Sequence, residues 1–222
     1  MIADAYLAGI STRRVEKLVP QLGVERMSKS QLSRLAKSLD GIVEDFRTRP
    51  LDGAPYAYVT LDALVVKFRE GGRTVNVCVV HAVGVNRDGF GESLGLDVVT
   101  AEDGAAWLAF VRSLVARGLA GVRLVSSDAQ PGLVDAIAAS LTGAAWQRCR
   151  RQFMRNLLTR VERQSFVATM VRTIFAQPDA ATVREQHARI VDQLQARFPE
   201  AAALLDEAGP DLLAFTSFPN EH

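Results

Sequence analysis

The chain has 222 residues, 48% of them hydrophobic and 23% charged, with a formal net charge of +1; it can bury a sizeable core and is no disordered tail. No stretch approaches the roughly 20 uncharged apolar residues of a membrane span, and MIADAYLAGISTRR has no basic run before an apolar segment, so a cytoplasmic protein is expected. Cys78 lies in an apolar run and Cys149 among arginines, settings too unlike for a disulfide framework, and both read as free thiols.

Residues 11 to 19, STRRVEKLV, offer Ser11 or Thr12 as an N-cap and set Val15, Leu18 and Val19 on one face before Pro20 and Gly23 end the helix. A second amphipathic helix is expected over residues 28 to 46, where Leu32, Leu35, Leu39, Ile42 and Phe46 recur at spacings of three and four behind Ser28 or Ser30. Two helices around a Gly-containing turn fit a helix-turn-helix, whose second helix would present Ser28, Lys29, Ser30, Gln31 and Arg34 to the DNA major groove. A helical hairpin that reads no DNA fits the same pattern.

RTRPLDGAP, residues 47 to 55, reads as a linker. Beyond it YAYVTLDALVVKFRE and RTVNVCVVHAVGVN are β-rich runs around a Glu-Gly-Gly hairpin signal, and GFGESLGLDVVT makes a third strand of an antiparallel meander. EDGAAWLAFVRSLVARGL predicts a helix ending at Gly118, and GVRLVSSD a short buried strand with Asp128 at its C-terminal end. QPGLVDAIAASL is a helix with Pro131 in its first turn, GAAWQRC a strand, and RRQFMRNLLTRV a further helix. The order β-β-β-α-β-α-β-α is the RNase H-like arrangement, an α/β fold with a mixed sheet flanked by helices. After about residue 160 the chain turns helical and polar, with no further strand signal. The expected organisation is a helical, helix-turn-helix-like segment over 1–49, an RNase H-like core over 50–160 and a helical insertion over 161–222.

Positive charge is concentrated rather than spread. Residues 1 to 49 hold nine Lys/Arg against six Asp/Glu, and residues 148 to 172 hold seven Arg against Glu162 alone. Phosphate backbones are bound by such local concentrations, since each contact releases condensed counterions; Arg148, Arg150, Arg151 and Arg155 are the candidates in the second cluster. A solvated helix face is the bland alternative.

Two carboxylates stand out. Asp62 sits inside a nearly continuous apolar strand, which implies a central strand covered on both faces, where an ionised side chain must be neutral, paired or bound to a cation. Asp128, between a strand end and a helix, stands where open α/β sheets place catalytic groups, although an Asp there is also a good N-cap. Adjacent strands carrying both can share metal ions about 4 Å apart that act on a phosphodiester, and Mg²⁺ suits such oxygen ligands. Asp88, Glu92 and Asp97 read as turn residues, Glu102 and Asp103 as charges favourable to a helix N-terminus, and Asp135 as an ordinary helix position. Cys149, flanked by Arg148, Arg150 and Arg151, has a setting that lowers a thiol pKa, but no Cys/His set has zinc spacing. Trp107 and Trp146 read as core anchors.

STRRVEKLV, RPLDGAPYAYVTLDAL, AVGVNRDGFGESLGLDV, GLAGVRLVSSDAQPGL, GAAWQRCRRQFMRNLL and LLAFTSFPNEH together resemble the Mutator-type bacterial insertion-sequence transposases, essentially from end to end. The resemblance implies an RNase H-like catalytic domain with a helical insertion and an Asp, Asp, Glu triad. With Mg²⁺ (or Mn²⁺) such enzymes nick element ends and join the 3′-hydroxyl to target DNA. Asp62 matches the first Asp and Asp128 the second. The implied partners are double-stranded DNA, as terminal inverted repeats and target, and further copies of the full-length chain, with no membrane.

The sequence departs from the family pattern in three places. Gln130 and Gln152 stand where the family has histidines after the second Asp and after the cysteine. The family's Glu follows the helical insertion in an Arg/Asn-rich segment, for which Glu221 is not the match. A preceding N-terminal segment is also expected. The chain is accordingly read as a fragment, with two alternatives from other classes: a noncatalytic DNA-binding protein that interferes with full-length transposase, and a structural remnant.

Overall fold

A computed structural model describes residues 29–70 and 73–218. The first expected helix, residues 11 to 19, and Ser28 lie outside the described residues. The chain divides into two compact units, 1–49 and 50–222. In the first, helix α1 spans Lys29–Thr48, close to the run predicted from its leucine spacing. Ser30, Gln31 and Arg34 are exposed on it. At its end the Thr48 hydroxyl donates to the Glu44 carbonyl at 2.8 Å and Arg49 lies over the Phe46 ring.

The second unit contains a five-stranded mixed sheet, β1 (Tyr58–Glu70), β2 (Arg73–Val85), β3 (Gly91–Val99), β4 (Leu124–Ser127) and β5 (Ala145–Arg148), in the order β3-β2-β1-β4-β5. β1, β2 and β3 form the antiparallel meander, while β4 is parallel to both β1 and β5. The β2–β3 turn is closed by the Asn86 side chain, which accepts the N–H groups of Asp88 and Phe90 at 3.0 Å each, and by Gly89 at φ +80°. Parallel neighbours need crossovers. Helix α2 (Gly104–Ala116) carries the chain from β3 to β4, and α3 (Pro131–Ser140) from β4 to β5. Asp103 caps α2, its Oδ1 accepting the Ala106 N–H at 2.9 Å.

Strand alternation decides what faces the helices. Val59, Leu61, Val80, Ala82 and Val125 point to one side and join Trp107, Phe110, Leu114, Leu133 and Ile137 of α2 and α3 in one buried core. Trp107 is fully buried and Trp146 packs against this core, as expected of anchors. The opposite face carries Asp62, Leu64 and Val66. Leu64 is 65% and Val98 57% exposed. The expectation that both faces of β1 are covered is therefore corrected for the described residues. An apolar run says that apolar side chains alternate to both sides, not that each side has a lid.

A second core lies in the helical half. It gathers residues of α4 (Arg150–Leu158), α5 (Gln164–Arg172), α6 (Ala180–Gln195), α7 (Pro199–Glu207) and the short α8 (Gly209–Leu212), with Phe153, Leu157, Ile174, Ile190, Leu194 and Leu205 buried in it. The His187 imidazole is buried here, Nε2 lying 3.0 Å from the Leu205 carbonyl. Helix α8 and the following 3₁₀ turn Ala214–Ser217 pack on β5, which joins this core to the sheet.

Candidate active site

The parallel pairing of β1 and β4 sets the site. Their register runs Tyr58 with Leu124, Val59 with Val125 and Thr60 with Ser126. Asp62 stands two residues beyond Thr60 within β1, and Asp128 two beyond Ser126, one residue past the end of β4. Asp62 is exposed, and its Oδ1 accepts the N–H of Ala63 at 2.9 Å. His81 is its register partner on β2, and the His81 Nε2 lies 2.8 Å from the Ser93 hydroxyl.

Asp128 is half-buried beyond the end of β4. Its carbonyl accepts the hydroxyl of the buried Ser127 at 2.8 Å, and that hydroxyl accepts the Trp146 indole N–H at 2.9 Å. The Asp128 Oδ1 accepts the backbone N–H of Gln130 at 3.3 Å. The N-cap of α3 is Gln130 and not Asp128, so the aspartate is not consumed as a cap.

Glu102 is the acid that sequence reasoning set aside. Its position before α2 suits a helix-dipole charge, but the half-buried side chain turns inward. The carboxylate accepts the Trp107 indole N–H at 3.4 Å and the Cys78 thiol at 4.0 Å. Burial, then the charge of Asp128, and more weakly that of Asp62, raise its pKa against the lowering effect of Trp107. Burial, and then Glu102, likewise push the Cys78 thiol up. Glu102 thus lies within electrostatic reach of both aspartates, a relation that no spacing in the sequence shows, because the three acids come from a strand and two separate connections.

The donor chemistry fits a hard divalent cation, since carboxylate oxygens are its preferred ligands and the charges of Asp128 and Asp62 both act on Glu102. Among the described residues no three His, Cys, Asp or Glu side chains converge closely enough to hold one. Asp62 on β1 and Asp128 just past β4 both act electrostatically on Glu102.

Cys149, free and half-buried, occupies the N-cap position of α4 without a side-chain capping bond, and its N–H donates to the Ser127 carbonyl at 2.6 Å. The arginine cluster is not uniform. Arg150 has its guanidinium 4.0 Å from the Phe215 ring centre and 4.5 Å from that of Phe175, and Arg148 lies over Phe153 at 5.2 Å. Arg151 and Arg155, four residues apart on α4, are exposed. Lys29 begins α1 in the other unit.

The family model for "Transposase, Mutator family" matches residues 1–222. The chain is 53% identical over its whole length to the transposase for insertion sequence element IS1081 of Mycobacterium tuberculosis, covering 54% of that protein. Over 99% of its length it is 34% identical to the transposase for insertion sequence element IS256 in transposon Tn4001 of Staphylococcus aureus, covering 57% of it. It is 37% identical to the transposase for insertion sequence element IS406 of Burkholderia multivorans, covering 58% of that one. The chain spans between half and two thirds of the length of these curated relatives. With a family model matched from its first residue to its last and half of its residues shared with an insertion-element enzyme, the chain belongs to the Mutator family of transposases.

Proposed function

We propose that this chain carries the reaction centre of an insertion-element transposase, which cuts double-stranded DNA at element ends and joins them to target DNA. The observation that supports the reading is the parallel β1–β4 pairing, whose register runs to Thr60 with Ser126, two residues before Asp62 and two before Asp128. The strand order, with an antiparallel meander followed by two parallel strands across α2 and α3, supports an RNase H-like sheet. Asp62 and Asp128 would hold Mg²⁺, or Mn²⁺ in its place. When bound, such ions activate a water or a DNA 3′-hydroxyl and offset charge on the leaving oxygen. No protein nucleophile is required. The exposed Arg151 and Arg155 meet phosphates, Arg148 and Arg150 flank that surface from the same cluster, and Cys149 is a neighbour of the site without a role in the chemistry. Helix α1 reads or grips the duplex with Lys29, Ser30, Gln31 and Arg34 as the second helix of a helix-turn-helix that includes Ser28. Terminal inverted repeats and target DNA are the substrates, and the full-length protein acts in the cytoplasm as a homo-oligomer. Among the described residues no helix is long and apolar enough to cross a membrane.

Titrating the protein with Mn²⁺ and following the free-ion signal by electron paramagnetic resonance tests the reading. Asp62→Asn and Asp128→Asn should each weaken binding by at least the roughly 10-fold loss seen on removing even an outer-shell partner. Unchanged titrations in both variants would sink the proposed centre.

A further inference from the structure

The side chain of Asp128 is held by something other than its strand. β4 ends at Ser127, so Asp128 lies outside the strand, and Ser127 fixes only its carbonyl. The carboxylate is met by the backbone N–H of Gln130. Gln130 is itself fixed at both ends of its amide. Its Oε1 accepts the Leu133 N–H at 2.6 Å and so caps α3, while its Nε2 donates to the Glu102 carbonyl at 3.4 Å, just before α2. The short residues favoured at N-caps supply an acceptor there but no donor that reaches so far. A glutamine caps and bridges at once.

The main chain closes the same corner. A Cβ on Gly132 would lie 2.7 Å from the Gly104 Cα and 2.9 Å from its nitrogen, both backbone atoms that cannot swing aside. The first turns of α2 and α3 therefore touch backbone to backbone, and the Gln130 amide spans them. A shift of either helix start moves the Gln130 N–H and with it the carboxylate.

We propose that Gln130 is a positioning residue for Asp128, its amide bridge from the α3 cap to the Glu102 carbonyl setting how that carboxylate faces a divalent cation shared with Asp62. The inference rests on the reading of Asp62 and Asp128 as a metal-holding pair. Outer-shell partners of this kind tune metal affinity by orienting the ligand.

The test uses Mn²⁺ titration of the whole chain beside thermal melting. Gln130→Ser keeps a capping oxygen and removes the bridge, so it should melt near the parent yet bind Mn²⁺ about 10-fold more weakly. Gln130→His places one acceptor and one donor nitrogen on a ring of similar reach and should recover most of the affinity. Parent-like Mn²⁺ binding in Gln130→Ser, with Asp128→Asn still impaired, overturns the positioning role and leaves the metal-holding pair standing. A parent protein that binds no Mn²⁺, or whose binding Asp128→Asn leaves unchanged, overturns the pair and the inference together.

Discussion

The two faces of the β1–β2–β3 meander come from the same strands and the same kind of side chain, yet they are used differently. On one, Leu61 is 1% exposed under α2 and α3; on the other, Leu64 is 65% exposed three residues later. The covered face holds the sheet together. The open face carries Asp62, whose carboxylate is left in water at little desolvation cost, whereas Glu102 on the helix side pays that cost and shows it in a raised pKa. A solvent-facing carboxylate and an apolar surface can therefore share a strand face, because the buried half of the strand supplies the stability. The sharpest way to break this comparison is a pair of truncations. Leu61→Ala should cost about 2–5 kcal/mol through lost burial and a cavity, and Leu64→Ala no more than about 0.5 kcal/mol. Urea unfolding measures both, and equal losses would mean that the open face is covered in solution.

The same contrast recurs within the arginine cluster, at smaller scale. Arg150 is clamped between Phe175 and Phe215, with its Nε buried and without a hydrogen-bond partner among the described residues, and burial lowers its pKa. Arg151 beside it is exposed. Arg150→Ala should cost about 2 kcal/mol, the size of a desolvated cation–π contact. Arg151→Ala should leave unfolding unchanged but lower the slope of log DNA affinity against log salt by about one unit. If Arg150→Ala alters the salt slope and spares stability, the division of labour between neighbours is wrong.

Much of this architecture was legible in the sequence because its signals are local. Leucine spacing marked α1, and β-rich runs around a Glu-Gly-Gly hairpin signal marked β1 and β2. Pro131 marked the start of α3. That β1 and β4 are neighbours, the premise for proposing Asp62 and Asp128 as a pair, followed from the order of the elements. What stayed hidden depends on tertiary neighbours. Glu102 looks like any acid before a helix until Trp107, Cys78 and Asp128 are seen around it. Gln130 looks like a lost imidazole until both ends of its amide are traced. The open side of β1 could not be read either, because an apolar residue pointing away from one core carries no mark of whether another layer follows. Arg150 and Arg151 are adjacent and chemically identical, and only the two phenylalanines tell them apart.

The smallest expected effect concerns Glu102. A carboxyl that holds its proton more tightly in the folded chain than in the unfolded one binds more protons in the native state across the interval between the two pKa values. Stability then falls as pH rises through that interval, from the ordinary glutamate range upward, and the loss is complete above the folded value. Glu102→Gln should remove this slope and melt higher than the parent at neutral pH, although it forfeits the charged acceptor for Trp107. Asp128→Asn should narrow the interval, because Asp128 is the larger of the two charges acting on Glu102, and Asp62→Asn should narrow it less. Melting temperature against pH for the four proteins separates burial from charge. A slope that survives Glu102→Gln belongs to another group, and an interval unmoved by Asp128→Asn would mean that the carboxylates do not share one field.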